Sequence, residues 1–168
     1  MPTSLSIHAA LPQDWDVIWP IFQAVVRTGD TYMYDPNTSP TQAKSLWMDG
    51  GVKTYIAVLD NTVVGTYIIK QNHPGLGSHV ANASYMVSPN ARGLGVGKAM
   101  AEHSIQVARA KGFLSMQFNC VVSTNTRAIK LWQDLGFTII GTSPKAFRHK
   151  TLGLVDTHIM YQSFDDLI

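Results

Sequence analysis

Hydrophobic and polar positions at the start of the chain follow first a period of two and then a period near 3.6 residues. Residues 4–9 alternate and predict a strand. The segment 29–41 contains Asp, Asn, Pro and three bulky residues at 32–34, which predicts an ordered loop with an aromatic tip. A short helix over 40–48 follows. Between the strand over 4–9 and the loop over 29–41, apolar residues after Pro12 recur at helical spacing and predict an amphipathic helix. Its apolar face consists of Trp15, Ile18, Trp19, Phe22 and Val25 or Val26.

The middle of the chain is rich in Val, Ile and Tyr and predicts three strands. Residues 53–59 and 62–70 are separated by Asp60-Asn61, a pair that tolerates the positive φ values of a tight hairpin turn. A turn over 71–78 leads to a strand over 79–87, which Ser88-Pro89 ends.

The second half alternates helices with strands. Gly112 ends a helix over 95–111, and Gly136 ends a helix over 125–135. Further strands are predicted over 114–122, 137–142 and 155–161, with 144–153 as a basic connection. Alternation in the first of these places Asn119 towards a site and Cys120 on the apolar face, where we expect a buried structural thiol.

The predicted order is β-α-α-β-β-β-α-β-α-β-β, without repeats or low-complexity tracts. Because 168 residues suit one hydrophobic core, we expect a single domain over 1–168. The fold class is α/β (α+β), in which helices flank one mixed sheet.

Composition narrows the function classes. Apolar residues make up 45% and charged residues 14%, which is typical of a compact chain whose lightly charged surface is compatible with a homodimer. The net charge of +2 is too small to indicate a nucleic-acid partner. Cys120 is the single cysteine, so an intrachain disulfide and a multi-thiolate metal site are excluded, and we expect no metal. The start of the chain lacks signal-peptide features and no apolar run reaches the roughly 18 residues of a membrane span, so we predict a cytoplasmic protein without a membrane partner.

The segment Arg92-Gly-Leu-Gly-Val-Gly97 lies between a predicted strand and a predicted helix. A helix start has unpaired N–H groups and partial positive charge, so a phosphate can dock there if no side chain blocks it. A glycine-rich turn without a ligand is the alternative. A Walker loop fits poorly because Gly97-Lys98 is followed by Ala99, and a Rossmann fingerprint fits poorly because the third glycine comes one residue early.

This segment resembles the pyrophosphate motif of the GNAT acetyltransferase superfamily: Gln or Arg, two residues, Gly, one residue, then Gly or Ala. Independently, Asn125-Thr-Arg-Ala-Ile-Lys-Leu-Trp-Gln-Asp-Leu-Gly-Phe137 resembles the family's Asn-x-x-Ala-x-x-x-Tyr-x-x-x-Gly-Phe helix. The resemblance implies the GNAT fold, with a mostly antiparallel sheet of about seven strands and about four helices. It also implies acetyl-CoA as the acetyl donor.

Carried over residue by residue, the resemblance implies a pyrophosphate site on main-chain N–H groups and a pantetheine arm paired with one strand. Arg127 and Lys130 are candidates for the 3′-phosphate of CoA, with a solvated helix face as the alternative. The implied cofactor-binding residues are Met86, Val87, Arg92, Gly93, Leu94, Gly95, Val96, Gly97, Lys98, Asn125, Arg127 and Lys130.

The catalytic residues are less defined. Trp132 stands where many family members have a tyrosine that protonates the departing thiolate; since an indole cannot do so, we interpret it as core packing. The chain also contains Gly65-Thr-Tyr-Ile-Ile-Lys70, Pro74-Gly75, Ser78-His79-Val, Asn82, and Phe118-Asn119 followed by Asn125. In this combination it is similar to fungal acetyltransferases of azetidine-2-carboxylate and other proline-like imino acids, and the similarity implies that Asn82 and Asn119 handle the substrate or the oxyanion. His79 is a candidate base acting through water, and a structural histidine at a strand start is the alternative.

The acceptor implied by these features is an amine of a small molecule, with amino and imino acids as candidates. Aromatic walls and one carboxylate suit a cationic or zwitterionic amine, and the candidate substrate-binding residues are Tyr32, Tyr34, Asp35 and Tyr85. Hydrophobic anchoring of the loop is the alternative for the first three. Two other functions stay open: acetylation of proteins or peptides, and a CoA-binding sensor without catalysis.

Overall fold

The computed structural model describes residues 4–164, and its elements occur in the predicted order. Short 3₁₀ turns at Pro12–Asp14, Gly75–Gly77 and Pro89–Ala91 connect some of them. The described part of the chain contains the strands β1 (Leu5–Ala9), β2 (Lys53–Leu59), β3 (Thr62–Gln71), β4 (Val80–Val87), β5 (Ser115–Val122), β6 (Thr138–His149) and β7 (Gly153–Ser163), and the helices α1 (Trp15–Val26), α2 (Pro40–Met48), α3 (Val96–Ala110) and α4 (Thr126–Asp134).

The strands form one seven-stranded sheet in the order β1-β2-β3-β4-β5-β7-β6. Neighbouring strands are antiparallel except for β4 and β5, which are parallel. The turn between β2 and β3 has positive φ at Asp60 (48°) and Asn61 (63°), which confirms the predicted tight hairpin. The fold class predicted from the sequence is therefore confirmed.

The parallel strands β4 and β5 separate after a short contact. Their register contains two pairs, Val80 with Ser115 and Ala81 with Met116. One residue further on, Asn82 Nδ2 donates a hydrogen bond to the Gln117 carbonyl (2.9 Å), so a side chain makes the last bridge before the strands diverge. The divergence opens a cleft in the middle of the sheet.

Two hydrophobic cores cover the two faces of the sheet. Alternation along β4 sends Ala81 and Ala83 to the core beneath α3 and Met86 to the core beneath α1 and α2. The α1 side contains a buried hydrogen bond from Trp47 Nε1 to Thr66 Oγ1 (3.0 Å). Both faces are thus packed firmly enough to hold the walls of the cleft in place.

The prediction of a connection over 144–153 is wrong. Most of this segment belongs to β6, and the β6–β7 hairpin is long. Pro144 is tolerated because β6 is an edge strand, where a missing N–H breaks no ladder bond. The register shifts between Ser143 and Phe147, where Lys145 has a φ of 53° and donates its N–H to Asp156 Oδ1 (2.8 Å). This irregularity hides the strand period in the sequence.

Within residues 4–164, none of the helices has the length and apolar character needed to cross a membrane.

Candidate functional site

The gap between β4 and β5 is a cleft of about 740 Å³. One wall is the segment 82–87 of β4, and the other is the segment 118–122 of β5. The glycine-rich segment before α3 and the start of α4 line one end, which we call the cofactor end. The loop after α1 and the end of β3 line the other, which we call the acceptor end.

The cofactor end is built around the start of α3. Gly95 is its N-terminal cap, with a φ of +78°, and Gly93 has a φ of +83°. A Cβ atom at either glycine would meet no other atom within 4 Å, so open space lies in front of both. These values require glycine, since other residues adopt them only with strain.

The first turn of α3 has backbone N–H groups that make no hydrogen bond within the helix. The first helical bond runs from the Ala99 N–H to the Gly95 carbonyl (3.0 Å), so the N–H groups of residues 96–98 have no acceptor within the helix. The helix dipole adds partial positive charge at the same place. With Arg92 and Lys98 also lining the cleft, this end fits an anion such as a pyrophosphate.

Ten of the twelve predicted cofactor residues line the cleft. Leu94 lies outside it and is exposed. Lys130 also lies outside, and its ammonium contacts the Asp134 carboxylate (2.8 Å), so only Arg127 of the predicted pair points to the cleft. Asn125 caps α4, because its Oδ1 accepts the Ala128 N–H (3.3 Å). The ten residues are Met86, Val87, Arg92, Gly93, Gly95, Val96, Gly97, Lys98, Asn125 and Arg127.

Backbone groups along β4 alternate between β3 and the cleft. At one end of β4 the Asn72 N–H donates to the Val80 carbonyl (2.8 Å), and beyond the other end the Ser88 N–H donates to the Val64 carbonyl (2.8 Å). In an antiparallel ladder, every second residue directs both its N–H and its C=O to the same neighbour. The backbone N–H and C=O groups of even-numbered residues of β4 therefore point to β3, and those of odd-numbered residues point to β5 or the cleft.

This alternation changes the assignment of the predicted arm-binding residues. The backbone of Met86 faces β3 and its side chain is buried in the core beneath α1. Val87 directs its N–H and C=O to the cleft, and Tyr85 does the same two residues earlier. Val87 is therefore better placed than Met86 to pair with an extended ligand.

Tyr32 occupies the cleft-facing groups of Tyr85. The Tyr85 N–H donates to Tyr32 Oη (2.8 Å), and the Tyr32 hydroxyl donates to the Tyr85 carbonyl. Burial raises the pKa of Tyr32, so the phenol stays protonated and can donate and accept at once. The Tyr32 ring stacks on Tyr34 with a centroid separation of 5.7 Å and an interplanar angle of 6°. All three predicted tyrosines, Tyr32, Tyr34 and Tyr85, line the cleft.

Trp132 packs in an aromatic cluster, as predicted. Its ring centroid lies 4.9 Å from that of Tyr85 and 4.5 Å from that of Phe118, and only 8% of the residue is exposed. The Tyr85 hydroxyl is hydrogen-bonded to Ser104 Oγ (2.7 Å) away from the backbone groups that Tyr32 holds. Trp132 and Tyr85 thus give the cleft a rigid aromatic floor.

The two predicted asparagines lie on opposite walls of the cleft. Asn82, on β4, uses its Nδ2 for the bridge to the Gln117 carbonyl. Asn119, on β5, donates from Nδ2 to Asn72 Oδ1 (2.8 Å) and accepts at Oδ1 from Gln117 Nε2 (3.0 Å). The structure therefore brings both residues to the cleft, within one network of amides.

His79 and Asp35 are not in the cleft. His79 is exposed before β4 at the paired end of the strands, where its carbonyl accepts the Leu114 N–H (2.9 Å). Asp35 accepts the Asn37 N–H (2.7 Å) and borders a separate depression on the surface. The sequence predicted both residues as members of the site, but it did not reveal on which side of the fold each would lie.

Asp30 is the carboxylate that lines the cleft in place of Asp35. It is the one acidic residue among the described lining residues, and Thr28 Oγ1 donates to its Oδ1. Thr31, next in the chain, also lines the cleft, and its buried Oγ1 has no hydrogen-bond partner within residues 4–164. Sequence reasoning missed Asp30, because the two aspartates of this loop carry no local signal that separates them.

Lys70 gives the acceptor end a positive charge. It is exposed, stands opposite Asn82 in the β3–β4 register, and lines the cleft. By alternation from Ile68, its side chain belongs to the α1 side of the sheet, which also carries the loop with Asp30. The acceptor end therefore combines one carboxylate and one ammonium with neutral amides.

Cys120 is exposed, so the prediction of a buried thiol is wrong. The register between β5 and β7 shifts between Phe118 and Val121, and this bulge interrupts the alternation on which the prediction depended. Cys120 lines the cleft, and partial burial raises the pKa of its thiol. Among the described residues, no group of three or more His, Cys, Asp or Glu side chains is arranged to hold a metal ion.

Comparison with known proteins finds relatives along most of the chain. A GCN5-related N-acetyltransferase from Kribbella flavida has 48% identity and a TM-score of 0.90, with 95% of this chain and 97% of that chain covered. A phosphinothricin acetyltransferase from Sinorhizobium meliloti, solved in complex with acetyl-CoA, has the same fold, with a TM-score of 0.83, 23% identity and coverage of 97% and 89%.

Among curated proteins, N-acetyltransferase aca1 of Schizosaccharomyces pombe is 38% identical over 107 residues, which are 63% of this chain and 51% of that protein. The chain spans about half or less of the length of the curated relatives that it matches. The model of the acetyltransferase (GNAT) family matches residues 16–137. With the split sheet and the glycine-rich helix start already described, this match shows that the chain belongs to the GNAT acetyltransferase family.

Proposed function

We propose that the protein transfers an acetyl group from acetyl-CoA to the amine of a small acceptor of the amino-acid or imino-acid class. The observation that carries this proposal is that Asp30 and Lys70 both line the acceptor end of the cleft. A zwitterion presents a cationic nitrogen and a carboxylate, and these two side chains complement both charges.

The cofactor end suits the acetyl donor. Glycines at 93 and 95 leave space for a diphosphate, and the N–H groups of residues 96–98 are directed to it. Val87 can pair with the extended arm, and Arg127 can bind a terminal phosphate. When bound, acetyl-CoA supplies a thioester carbonyl for attack by the amine.

The residues of this chain have three tasks in the transfer. Asp30 holds the cationic acceptor and is the carboxylate that can take its proton, directly or through water. The Val87 backbone faces the cleft and holds the arm of the donor, which brings the thioester carbonyl to the acceptor. Trp132 need not act as an acid, because a thiol with a solution pKa of about 8.5 leaves readily as a thiolate.

The proposal can be tested by measuring release of the CoA thiol with a panel of acceptors. The panel contains proline-like imino acids, α-amino acids, simple amines without a carboxylate and short peptides. We expect turnover with imino or amino acids and much weaker turnover with amines that lack the carboxylate. Turnover confined to peptides would overturn the small-acceptor proposal, and tight acetyl-CoA binding without any turnover would indicate a sensor.

A further inference from the structure

The hydroxyl of Tyr32 takes the place of a missing strand partner. The strands β4 and β5 are paired only as far as Ala81 and Met116, so the cleft-facing backbone of the rest of β4 has no neighbouring strand. Tyr85 nevertheless has both its N–H and its C=O engaged, because one phenol accepts from the first and donates to the second. Two residues further on, Val87 faces the same cleft without such a side chain.

The loop that carries Tyr32 is held from several directions. The Tyr34 ring packs between Tyr32 and Phe22 of α1, with centroid separations of 5.7 and 5.4 Å. On the other side of the cleft, the Lys150 N–H at the tip of the β6–β7 hairpin donates to the Gly29 carbonyl (2.9 Å). The loop thereby connects both halves of the split sheet, which keeps the Tyr32 hydroxyl at a defined position.

We propose that Tyr32 is a positioning residue that sets the register in which the extended arm of acetyl-CoA pairs with β4. By filling the groups of Tyr85, it leaves Val87 as the pairing point. A shift of the arm from Val87 to Tyr85 is a shift of two residues, or about 7 Å along the strand. The reacting atoms must approach to about 3–3.5 Å, so an arm in the shifted register is unreactive. The inference rests on the proposed use of acetyl-CoA but not on the identity of the acceptor.

The variant Tyr32→Phe removes the hydroxyl and keeps the ring stack, and Tyr34→Phe is the matched control from the same stack. In Tyr32→Phe the arm can occupy two registers, one of them unreactive. We expect kcat and the KM for acetyl-CoA to fall together, by about twofold if both registers bind equally and by more if the vacated one binds better. Tyr34→Phe keeps the Tyr32 hydroxyl on Tyr85, so it should not lower kcat and the KM for acetyl-CoA together.

A second measurement on these variants observes the register directly. With acetyl-CoA labelled with ¹³C at the acetyl carbonyl, we expect one carbonyl signal in the wild-type protein and in Tyr34→Phe, and two signals in Tyr32→Phe. A KM for acetyl-CoA that rises in Tyr32→Phe would overturn the inference, because loss of a hydroxyl that only stabilises the loop would weaken binding. A single carbonyl signal in Tyr32→Phe, with kcat and KM equal to those of Tyr34→Phe, would overturn it as well.

Amide hydrogen exchange in the wild-type protein tests the same idea without a variant. We expect the Tyr85 amide to be protected in the free protein and equally protected with CoA, whereas the Val87 amide gains protection only when CoA binds. CoA binding that instead protects Tyr85 further and leaves Val87 unchanged would contradict the inference while sparing the proposed function. Absence of CoA binding would overturn both.

Discussion

In the proposed function, the two ends of the cleft bind their ligands with different parts of the chain. The cofactor end consists mainly of backbone, supplied by residues 92–98 at the start of α3 with the exception of Leu94. The acceptor end consists of side chains from separate elements: Asp30 from the loop after α1, Lys70 from β3 and Asn119 from β5. The difference teaches that a shared donor can be bound by local geometry, whereas an individual acceptor requires residues that only the fold brings together.

This difference also has an energetic side. Backbone donors at a helix start are already oriented, so little side-chain conformational entropy is lost when a diphosphate binds there. Lys70 is exposed on a flexible stem, and Asp30 is held by Thr28 alone among the described residues. Changes at the cofactor end should therefore affect affinity for the donor most strongly, and changes at the acceptor end should affect selectivity and turnover.

The largest effect is expected for Gly95→Asp, which breaks the backbone site. A carboxylate at the start of α3 would face the diphosphate, and two like charges about 4 Å apart repel strongly enough to weaken acetyl-CoA binding about 100-fold. Titration calorimetry measures the change. Gly95→Asn is the control, because it has the same shape and the same strained φ of +78° but no charge. Equal affinity in the two variants would contradict the anion assignment.

Asp30→Asn tests the acceptor end. Loss of the charge should lower kcat/KM for the best acceptor about 10-fold to 100-fold, since a hydrogen bond to a charged group contributes roughly 1.5–3 kcal/mol. The affinity for acetyl-CoA should stay within about twofold, because donor and acceptor contact different ends. Asp35→Asn changes the other carboxylate of the same loop, outside the cleft, and should have no effect on kcat/KM. A similar loss of kcat/KM in both variants would show that a change in the loop, and not the charge of Asp30, causes the effect.

A smaller effect is expected for Asn119→Ala. The exchange removes hydrogen bonds to Asn72 and Gln117 and one amide of the cleft wall. Turnover should fall about threefold to tenfold, in the range of one neutral hydrogen bond, and acetyl-CoA affinity should change less. Asn72→Ala is the control, because it breaks the network but leaves Asn119 in place. An unchanged rate in Asn119→Ala would remove this residue from the site.

The smallest effect concerns His103, which lies behind the β4 wall and belongs to neither end. Its Nδ1 is 2.7 Å from the Tyr67 hydroxyl, and burial lowers the pKa of His103 below the ordinary range of a histidine. As the pH falls through the ordinary range of a histidine, the unfolded chain takes up a proton before the folded one, so the free energy of unfolding should decrease. Urea titrations of the wild type and of His103→Gln should show this extra loss in the wild type alone, with acetyl-CoA affinity unchanged at neutral pH.

Much of the fold was predictable because its signals are local. Asp60-Asn61 specified a turn through the φ values that these residues tolerate, and Pro89 and Gly112 ended their elements for equally local reasons. Strand β6 was missed in part, since an edge position accepts a proline and a bulge breaks the period of two. Local rules thus located elements well and failed where a strand departs from regular geometry.

The sequence by itself determined the cofactor end, because glycine spacing and a helix start are properties of consecutive residues. Only the tertiary structure decided the acceptor end. It placed Asp30 in the cleft and Asp35 outside, exposed Cys120 through a bulge, left His79 at the paired end of β4, and joined Tyr32 to Tyr85 across 53 positions of the chain. The physical reason is that packing and strand divergence bring distant residues together, and no local pattern in the chain records which ones will meet.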